Sequence, residues 1–557
     1  MENKPIARKL RLLSQLMELH EVNPFKIKSI ANAAFAIDKL PYLVSAKSFE
    51  ELSTIYGIGK SVATKIIEVV QTGTIQELEE ILAATPAGVV EMMAIKGIGA
   101  KKVAVIWRDM GIETVGELYY ACNENRLIEL KGFGLKTQEE IRKAIEFRMA
   151  SSGKFLYHQV EPEADIIIGK IKDTFDNALM EFAGEYRRLC EVINVLELVV
   201  GSRDCGMALH TILHSEILVN AVNEDGHVKG ETANGLNVII WVVEKRHYFT
   251  KLFLQTGNDE HVKAVLDRGA EDADQPENEE MIYHKAGLTF MKPELREGVT
   301  FIDRAAKDQL PQLISYNDLK GALHNHSTWS DGVNTLEQMA VYCRDELKLE
   351  YLGISDHSKT AVYAKGLSIE RVLQQHVEID HLNKKINDFH VFKGIESDIL
   401  NDGSLDYPEE ILKKFDFVVA SIHANLKMSE EKATERLLKA IENPYTTMLG
   451  HPTGRLLLSR NGYSIDYRKV IDACAANNVV IEINANPLRL DLDWRWHQYA
   501  LEKGCWLSIN PDAHRTEGFS DMHYGVIVAR KGGLYKERCL NALSLQEITA
   551  HFNSKKK

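Results

Sequence analysis

The chain has 557 residues, more than one hydrophobic core usually serves, so several domains are expected. Apolar residues make up 45% and charged residues 26%, a globular balance that excludes a wholly disordered chain. The net charge of −13 argues against a protein that coats nucleic acid, although residues 1–150 carry 20 basic against 19 acidic side chains and leave −14 to the rest. No run of about 18 apolar residues occurs and the N-terminus lacks the apolar core of a signal peptide, so a cytoplasmic protein without membrane contact is expected. The seven cysteines are scattered with no CxxC spacing, which points to reduced thiols and away from cysteine chemistry.

Residues 1–150 read as helices with apolar 3.6-residue spacing, broken by short glycine turns. Three turns are alike: Tyr56-Gly57-Ile58-Gly59-Lys60, Lys96-Gly97-Ile98-Gly99-Ala100-Lys101-Lys102 and Lys131-Gly132-Phe133-Gly134-Leu135-Lys136. They recur at about 35–40 residue spacing, an internal repeat. Paired glycines let backbone N–H groups approach a phosphate, and a following helix N-terminus and a lysine add positive potential. Gly57, Gly59, Lys60, Gly97, Gly99, Lys101, Lys102, Gly132, Gly134 and Lys136 are therefore the candidate DNA-backbone contacts, which carry little sequence information.

Between about 155 and 255 the texture turns β-rich, with strand candidates at Val192–Val200, Leu213–Val222 and Leu236–Val243 joined by helical stretches, an α+β pattern. Glu271–Glu280 is acidic and reads as a solvated loop. From about 318 short apolar strands alternate with amphipathic helices. The strands are expected at Gly321–His324, Tyr351–Ile354, His390–Gly394, Phe417–Ser421, Thr447–Leu449, Val479–Ile483 and Trp506–Ile509. Seven such units predict a β/α barrel whose functional residues sit at the C-terminal strand ends.

Polar clusters fall at those ends. His324 and His326, at i and i+2, leave the first strand with Asp331 on the loop beyond; then follow Asp356-His357, Glu396, His423, His451 and Asp512-Ala513-His514. Imidazole and carboxylate together suit Zn, Mn, Fe or Mg, and nine ligands exceed what one ion takes, so two to three divalent metal ions are expected. Such ions can clamp a phosphate and lower the pKa of water for in-line attack. Asp356 reads as a residue that orients a ligand, and Arg455 and Arg515 as candidate phosphate contacts.

Residues 318–557 resemble a PHP (polymerase and histidinol phosphatase) domain, a distorted (β/α)7 barrel with three metals. The resemblance implies one metal on His324, His326, Glu396 and Asp512, a second on Glu396, His423 and His451, and a third on Asp331, His357 and His514. It makes His324, His326, Glu396, His423 and Asp512 the catalytic set. The glycine turns resemble helix-hairpin-helix motifs, helped by Asn23-Pro24-Phe25-Lys26. Together the chain resembles a bacterial family X DNA polymerase with a C-terminal PHP domain, including Pro293-Glu294-Leu295-Arg296-Glu297 and Lys365-Gly366-Leu367-Ser368.

That resemblance implies helical domains over 1–80 and 81–152, a nucleotidyltransferase-like palm over 153–265, a thumb-like segment over 266–315 and the PHP domain over 318–557. It departs from the family at the palm. Gly201-Ser202 is present, but Ile212 and His214 stand at the Asp-x-Asp positions and Ile239 at the third aspartate. Without carboxylates for two Mg²⁺ ions, nucleotide transfer should be lost. The expectation is a DNA-binding phosphoesterase, a 3′–5′ exonuclease or 3′-end phosphatase serving DNA repair. It would act as a monomer on 3′ ends in gapped or nicked duplex, without sequence preference. The alternative is a gap-filling polymerase with proofreading.

Overall fold

The computed structural model describes the chain apart from residues 96, 151–152, 176–177, 271–274 and 556–557 and the side chains of 129 and 147–150. Contacts divide it into two units, Met1–Glu146 and Phe147–Lys557. Lys96, counted with the second glycine turn, lies outside the described residues. Among the described residues no helix is long and apolar enough to cross a membrane.

The first unit is helical. Helix α1 (Asn3–Leu19) buries Ile6, Leu10, Leu13 and Met17 along one stripe, and α2 (Pro24–Lys39) is started by the Asn23 side chain, which accepts from the Phe25 N–H. Helices α3 (Lys60–Thr72) and α4 (Ala100–Met110) begin directly after Gly59 and Gly99, and α5 (Leu135–Ala150) after Gly134. In each turn the first glycine is left-handed, with φ of +87° at Gly57, +94° at Gly97 and +92° at Gly132. A Cβ built on Gly59, Gly97, Gly99, Gly132 or Gly134 would meet nothing within 4 Å. Internal packing therefore does not demand the second glycines, and the space above them is open.

The second unit contains a five-stranded sheet and a barrel. The sheet strands are β1 (Leu179–Ala183), β2 (Val195–Ser202), β3 (Val219–Glu224), β4 (His227–Glu231) and β5 (Asn237–Glu244), in the order β1-β2-β5-β4-β3. Only β2 and β5 run parallel, with Glu197 opposite Ile239. Helix α6 (Cys205–Leu213) packs on the sheet through Ala208 and Ile212, and the Asp204 side chain caps it by accepting from the Met207 N–H. The expected strand over Leu213–Val222 is thus corrected: the run closes a helix, turns, and enters β3 only at Val219. The solvated loop expected at Glu271–Glu280 is corrected at its end too. Residues 271–274 lie outside the described residues, and Glu279 opens a helix, Glu279–Lys285, with its carboxylate buried against Arg187 and Arg296 at 2.6 Å each.

The barrel strands are β6 (Gly321–Ala322), β7 (Tyr351–Ile354), β8 (His390–Asp398), β9 (Phe417–Ser421), β10 (Met448–Leu449), β11 (Val480–Asn484) and β12 (Leu507–Asn510). All pair in parallel and in chain order. The seam between first and last strands is joined by a parallel bridge from Asn325 to Ala513, with the His326 N–H donating to the Ala513 carbonyl at 2.9 Å. The strands are buried on both faces and so read as unbroken apolar runs. Helices α7 (Ile369–Lys385) and α8 (Met522–Lys531) belong to the outer layer, and α7 buries Val372, Ile379 and Leu382. Inside the barrel the Phe417 ring takes the room that Cβ atoms on Gly353 and Gly394 would need, at 2.6 and 2.2 Å.

Candidate metal centre

Each expected ligand follows a barrel strand or lies near its end, so six of the seven short strands deliver nine side chains to one end of the barrel. His324, His326 and Glu396 are 0–1% exposed, and Asp512 and His514 are 5%. Two ligands need unusual backbone to reach inward: Asp512 at φ +53° and His451 at φ +24°, strain of the kind that gathers at functional sites.

Glu396, on β8, is the hub. Its Oε1 lies 2.9 Å from His451 Nε2, 3.1 Å from His423 Nε2 and 3.3 Å from His324 Nε2. Its Oε2 lies 2.9 Å from His357 Nδ1 and 3.7 Å from His326 Nε2. Asp512 Oδ1 is 3.0 Å from His326 Nε2 and 3.6 Å from His324 Nε2. Asp331 stands 3.4 Å from His514 Nε2, 3.6 Å from His357 Nε2 and 4.0 Å from His326 Nδ1. His326 thus faces two groups of ligands, Asp512 through one nitrogen and Asp331 through the other. The donor groups within 4.8 Å of one another include His326, Asp331, His357 and His514, and also His324, His451 and Asp512. A further group, His324, His326 and Glu396, lies within the first set the resemblance implies, while His357 with Glu396 and His423 is another, so His326, His357 and His451 each also stand with a neighbouring set.

The donors fit cations. His324 Nε2, His326 Nδ1, His357 Nε2, His451 Nδ1, Asp331 Oδ2 and Glu396 Oε2 are buried without an aligned hydrogen bond from the protein, a costly arrangement unless something else engages them. The ionisation pattern agrees. Burial opposes charge on His324, but Glu482, Glu396 and Asp512 outweigh it and hold the imidazolium well above its ordinary range. His423, buried yet facing Glu396 and Asp398, is raised to about 9. Burial, then the charges of His514 and His357, press His326 down to about 3. Soft and hard donors mixed in this way accept divalent cations.

Residues behind the ligands set their aim. Glu482, fully buried on β11, accepts from His324 Nδ1 at 2.6 Å and from the His451 N–H at 2.7 Å. Asp398 accepts from His423 Nδ1 at 2.5 Å, and Asn484 Nδ2 donates to Asp512 Oδ2 at 3.1 Å. Neither Glu482 nor Asp398 was singled out by sequence; an acid inside the apolar run Val479–Ile483 was the available signal. Asp356, read from sequence as orienting a ligand, accepts from Ser327, Ser330 and Gln375, none of them an expected ligand, beneath the His324–Asp331 loop.

Arg455 is a correction. Its guanidinium is buried on Asp493 at 2.5 Å and on the carbonyls of Arg489 and Leu490, so its donors hold the 489–493 turn and are not available to a phosphate. Arg515, half-buried, lies near Asp521, whose carboxyl burial pushes up to about 7 against the pull of Arg515.

In the five-stranded sheet, Gly201 and Ser202 end β2, two residues beyond the strand end expected at Val200. The placement of Ile212 and His214 at the Asp-x-Asp strand positions is corrected: Ile212 is fully buried on α6 and His214 is exposed at that helix's C-cap, so neither stands on a strand. Ile239, on β5, lies across from Glu197 and Lys229.

Residues 1–75 match the helix-hairpin-helix domain, and residues 49–104 and 89–146 match the SAM-like helix-hairpin-helix tandem. The whole chain is 32% identical over 581 residues to the DNA polymerase/3′-5′ exonuclease PolX of Bacillus subtilis (strain 168), covering 99% of both proteins. The chain belongs to the PolX family. A probable phosphatase of Thermoanaerobacter sp. (strain X514) is 30% identical over 186 residues, 32% of this chain and 73% of the relative. One of Clostridium acetobutylicum is 31% identical over 201 residues, 34% and 78%. The helical first unit, the mixed α/β region and the nearly closed seven-stranded parallel barrel are the architecture expected for this PolX-type chain, with a PHP-type barrel at its C-terminal end.

Proposed function

We propose that this PolX-family chain is a metal-dependent phosphoesterase acting on DNA 3′ ends in repair, as a 3′–5′ exonuclease, a 3′-end phosphatase or both. The observation that carries this reading is the convergence of His324, His326, Asp331, His357, Glu396, His423, His451, Asp512 and His514, whose donor atoms face one another in overlapping groups. Two to three divalent cations held there, among Mn, Zn, Fe and Mg, would supply Lewis-acid charge to the phosphate and acidify water. Glu482 and Asp398 fix the rings of His324 and His423, and Asn484 fixes Asp512, so the donors are preorganised. Arg515, beside His514 in the chain, is the remaining candidate for a phosphate oxygen.

The segments divide the work. Residues 1–80 and 81–152 hold duplex backbone through the open turns at Gly57, Gly97 and Gly132; 153–265 form a palm without nucleotide transfer; 266–315 form the thumb-like link; 318–557 carry the chemistry. Metal-stripped protein given Mn²⁺ should shorten a 5′-labelled primer, and His326→Ala should stop it. Failure of every metal to restore shortening or phosphate release on any DNA end sinks the proposal. A second reading, gap-filling synthesis with proofreading, is favoured by the full-length likeness to the Bacillus subtilis protein. Primer extension with dNTPs and Mg²⁺ or Mn²⁺ separates the two, because the phosphoesterase reading, with Ile239 in place of the third aspartate, predicts none.

A further inference from the structure

The donors of the metal centre are buried, yet the loop that leaves His357 carries two apolar side chains into solvent: Val362 is 80% exposed and Tyr363 38%. They share a 3-10 turn, Val362–Ala364. The Tyr363 ring lies 6.2 Å, centroid to centroid, from the imidazole of His357, at 57°. Both side chains are thus accessible from solvent close to one of the expected metal ligands.

The turn is held in place by backbone. The Ala361 N–H donates to the Ser358 carbonyl at 3.1 Å, Gly366 to Ala361 at 3.0 Å and Leu367 to His357 at 2.9 Å. Gly366 admits no side chain, since a Cβ there would lie 1.9 Å from the Ser358 carbonyl oxygen. Arg371, from α7, donates to the Lys365 carbonyl at 2.6 Å and to the Trp329 carbonyl, tying this loop to the one that carries Asp331. The distance from ring to metal centre is therefore built into the barrel. Lys359, exposed and 3.9 Å from Asp406, and Lys365, exposed, flank the turn.

An exposed aromatic ring beside a phosphate site, with lysines on either side, is the combination that binds a single-stranded nucleic-acid end: the ring takes a base and the ammonium groups take the backbone. A small phosphomonoester without a base uses no such ring. Resting on the phosphoesterase reading above, we propose that Tyr363, supported by Val362, is the stacking platform for the base of the terminal nucleotide whose phosphate is presented to the metal centre. The platform accepts any base, because every base has a π-face.

The test uses the full chain and two oligonucleotides alike except for the 3′-terminal residue, thymidine in one and abasic in the other. Tyr363→Ala should lower kcat/KM on the thymidine end by about 5- to 150-fold and leave the abasic end unchanged. Tyr363→Phe should behave as wild type, since it keeps the ring. In EDTA, with no turnover, a terminal 2-aminopurine should be quenched on binding to wild type and to Tyr363→Phe, but not to Tyr363→Ala. Equal losses on both ends, an unchanged preference for the base, or an unquenched probe in wild type overturns the platform. If wild type cleaves neither end with any metal, the phosphoesterase reading falls instead, and the metal-free quenching then decides the platform by itself.

Discussion

Replacing Glu482 with alanine should separate ligand orientation from ligand identity at the metal centre. Glu482 touches no site expected for a cation, but its Oε1 accepts from His324 Nδ1 at 2.6 Å and Asn510 Nδ2 at 3.0 Å, and its Oε2 from the His451 N–H at 2.7 Å. Alanine strips the acceptor from three buried donors at once. At about 1–3 kcal/mol for each donor left unsatisfied, relieved where water enters the space vacated, a net loss of about 2–4 kcal/mol of stability is expected. The larger effect is on aim: without the Nδ1 contact the His324 ring turns freely, and losing such an outer partner costs about 10–100-fold in metal affinity. Glu482→Gln should fall between the two, because one amide oxygen still accepts from His324 while the amide N–H₂ meets the His451 N–H. Calorimetric titration of Mn²⁺ into metal-stripped full-length protein, with urea unfolding in parallel, reads both quantities. An alanine variant that binds Mn²⁺ within about twofold of wild type would show that His324 is oriented by something other than Glu482.

Three further outcomes follow from the structure. Burial opposes the charge on Glu297, but Lys531 and Arg188 outweigh it and hold the carboxyl at about 2, below its ordinary 4.5. That depression stabilises the fold by about 3 kcal/mol above the unfolded pKa and is lost as pH falls through the folded one. Glu297→Gln should therefore lower the urea midpoint at pH 7, with the gap to wild type closing as pH drops toward about 3; a constant gap would assign the effect to packing. Lys60→Ala, Lys101→Ala and Lys136→Ala together should flatten the dependence of log Kd for duplex DNA on log salt by up to about 3, read by anisotropy titration, and an unchanged slope removes these lysines from the phosphate contacts. Mn²⁺ at about 100 times its Kd should stabilise the metal-stripped barrel by about 2.7 kcal/mol, read as a rise in melting temperature that Asp512→Asn diminishes.

Much of the barrel was legible because its parallel strands are buried on both faces and stop abruptly at polar residues. The apolar runs at Tyr351–Ile354 and Phe417–Ser421 coincide with the strands observed. The polar cluster was legible for the same reason: a histidine or carboxylate directly after such a run stands out. What lay beyond reach were contacts decided far along the chain. Arg455 is the right residue type for a phosphate, but its partner Asp493 lies 38 residues away and nothing local announces it. Glu482 was hidden by its own strand, where an acid looks like an interruption until the neighbouring strand ends converge. The run Leu213–Val222 misled because short apolar stretches have no periodicity of their own; the Asp204 cap and the helical spacing of Ala208 and Ile212 decide it for the helix.

Ile212 also bears on how this chain could change. It lies in the core between α6 and the five-stranded sheet, among Leu196, Leu198, Val228 and Ile240. A carboxylate introduced there would enter apolar surroundings with no cation or donor to meet it, at a cost of several kcal/mol. A carboxylate site in this segment would need the backbone rearranged as well as the side chain replaced, because Ile212 stands on α6 and not on a strand. The packing of one isoleucine thus sets the polarity of this side of the sheet, which accepts apolar side chains and resists a buried charge.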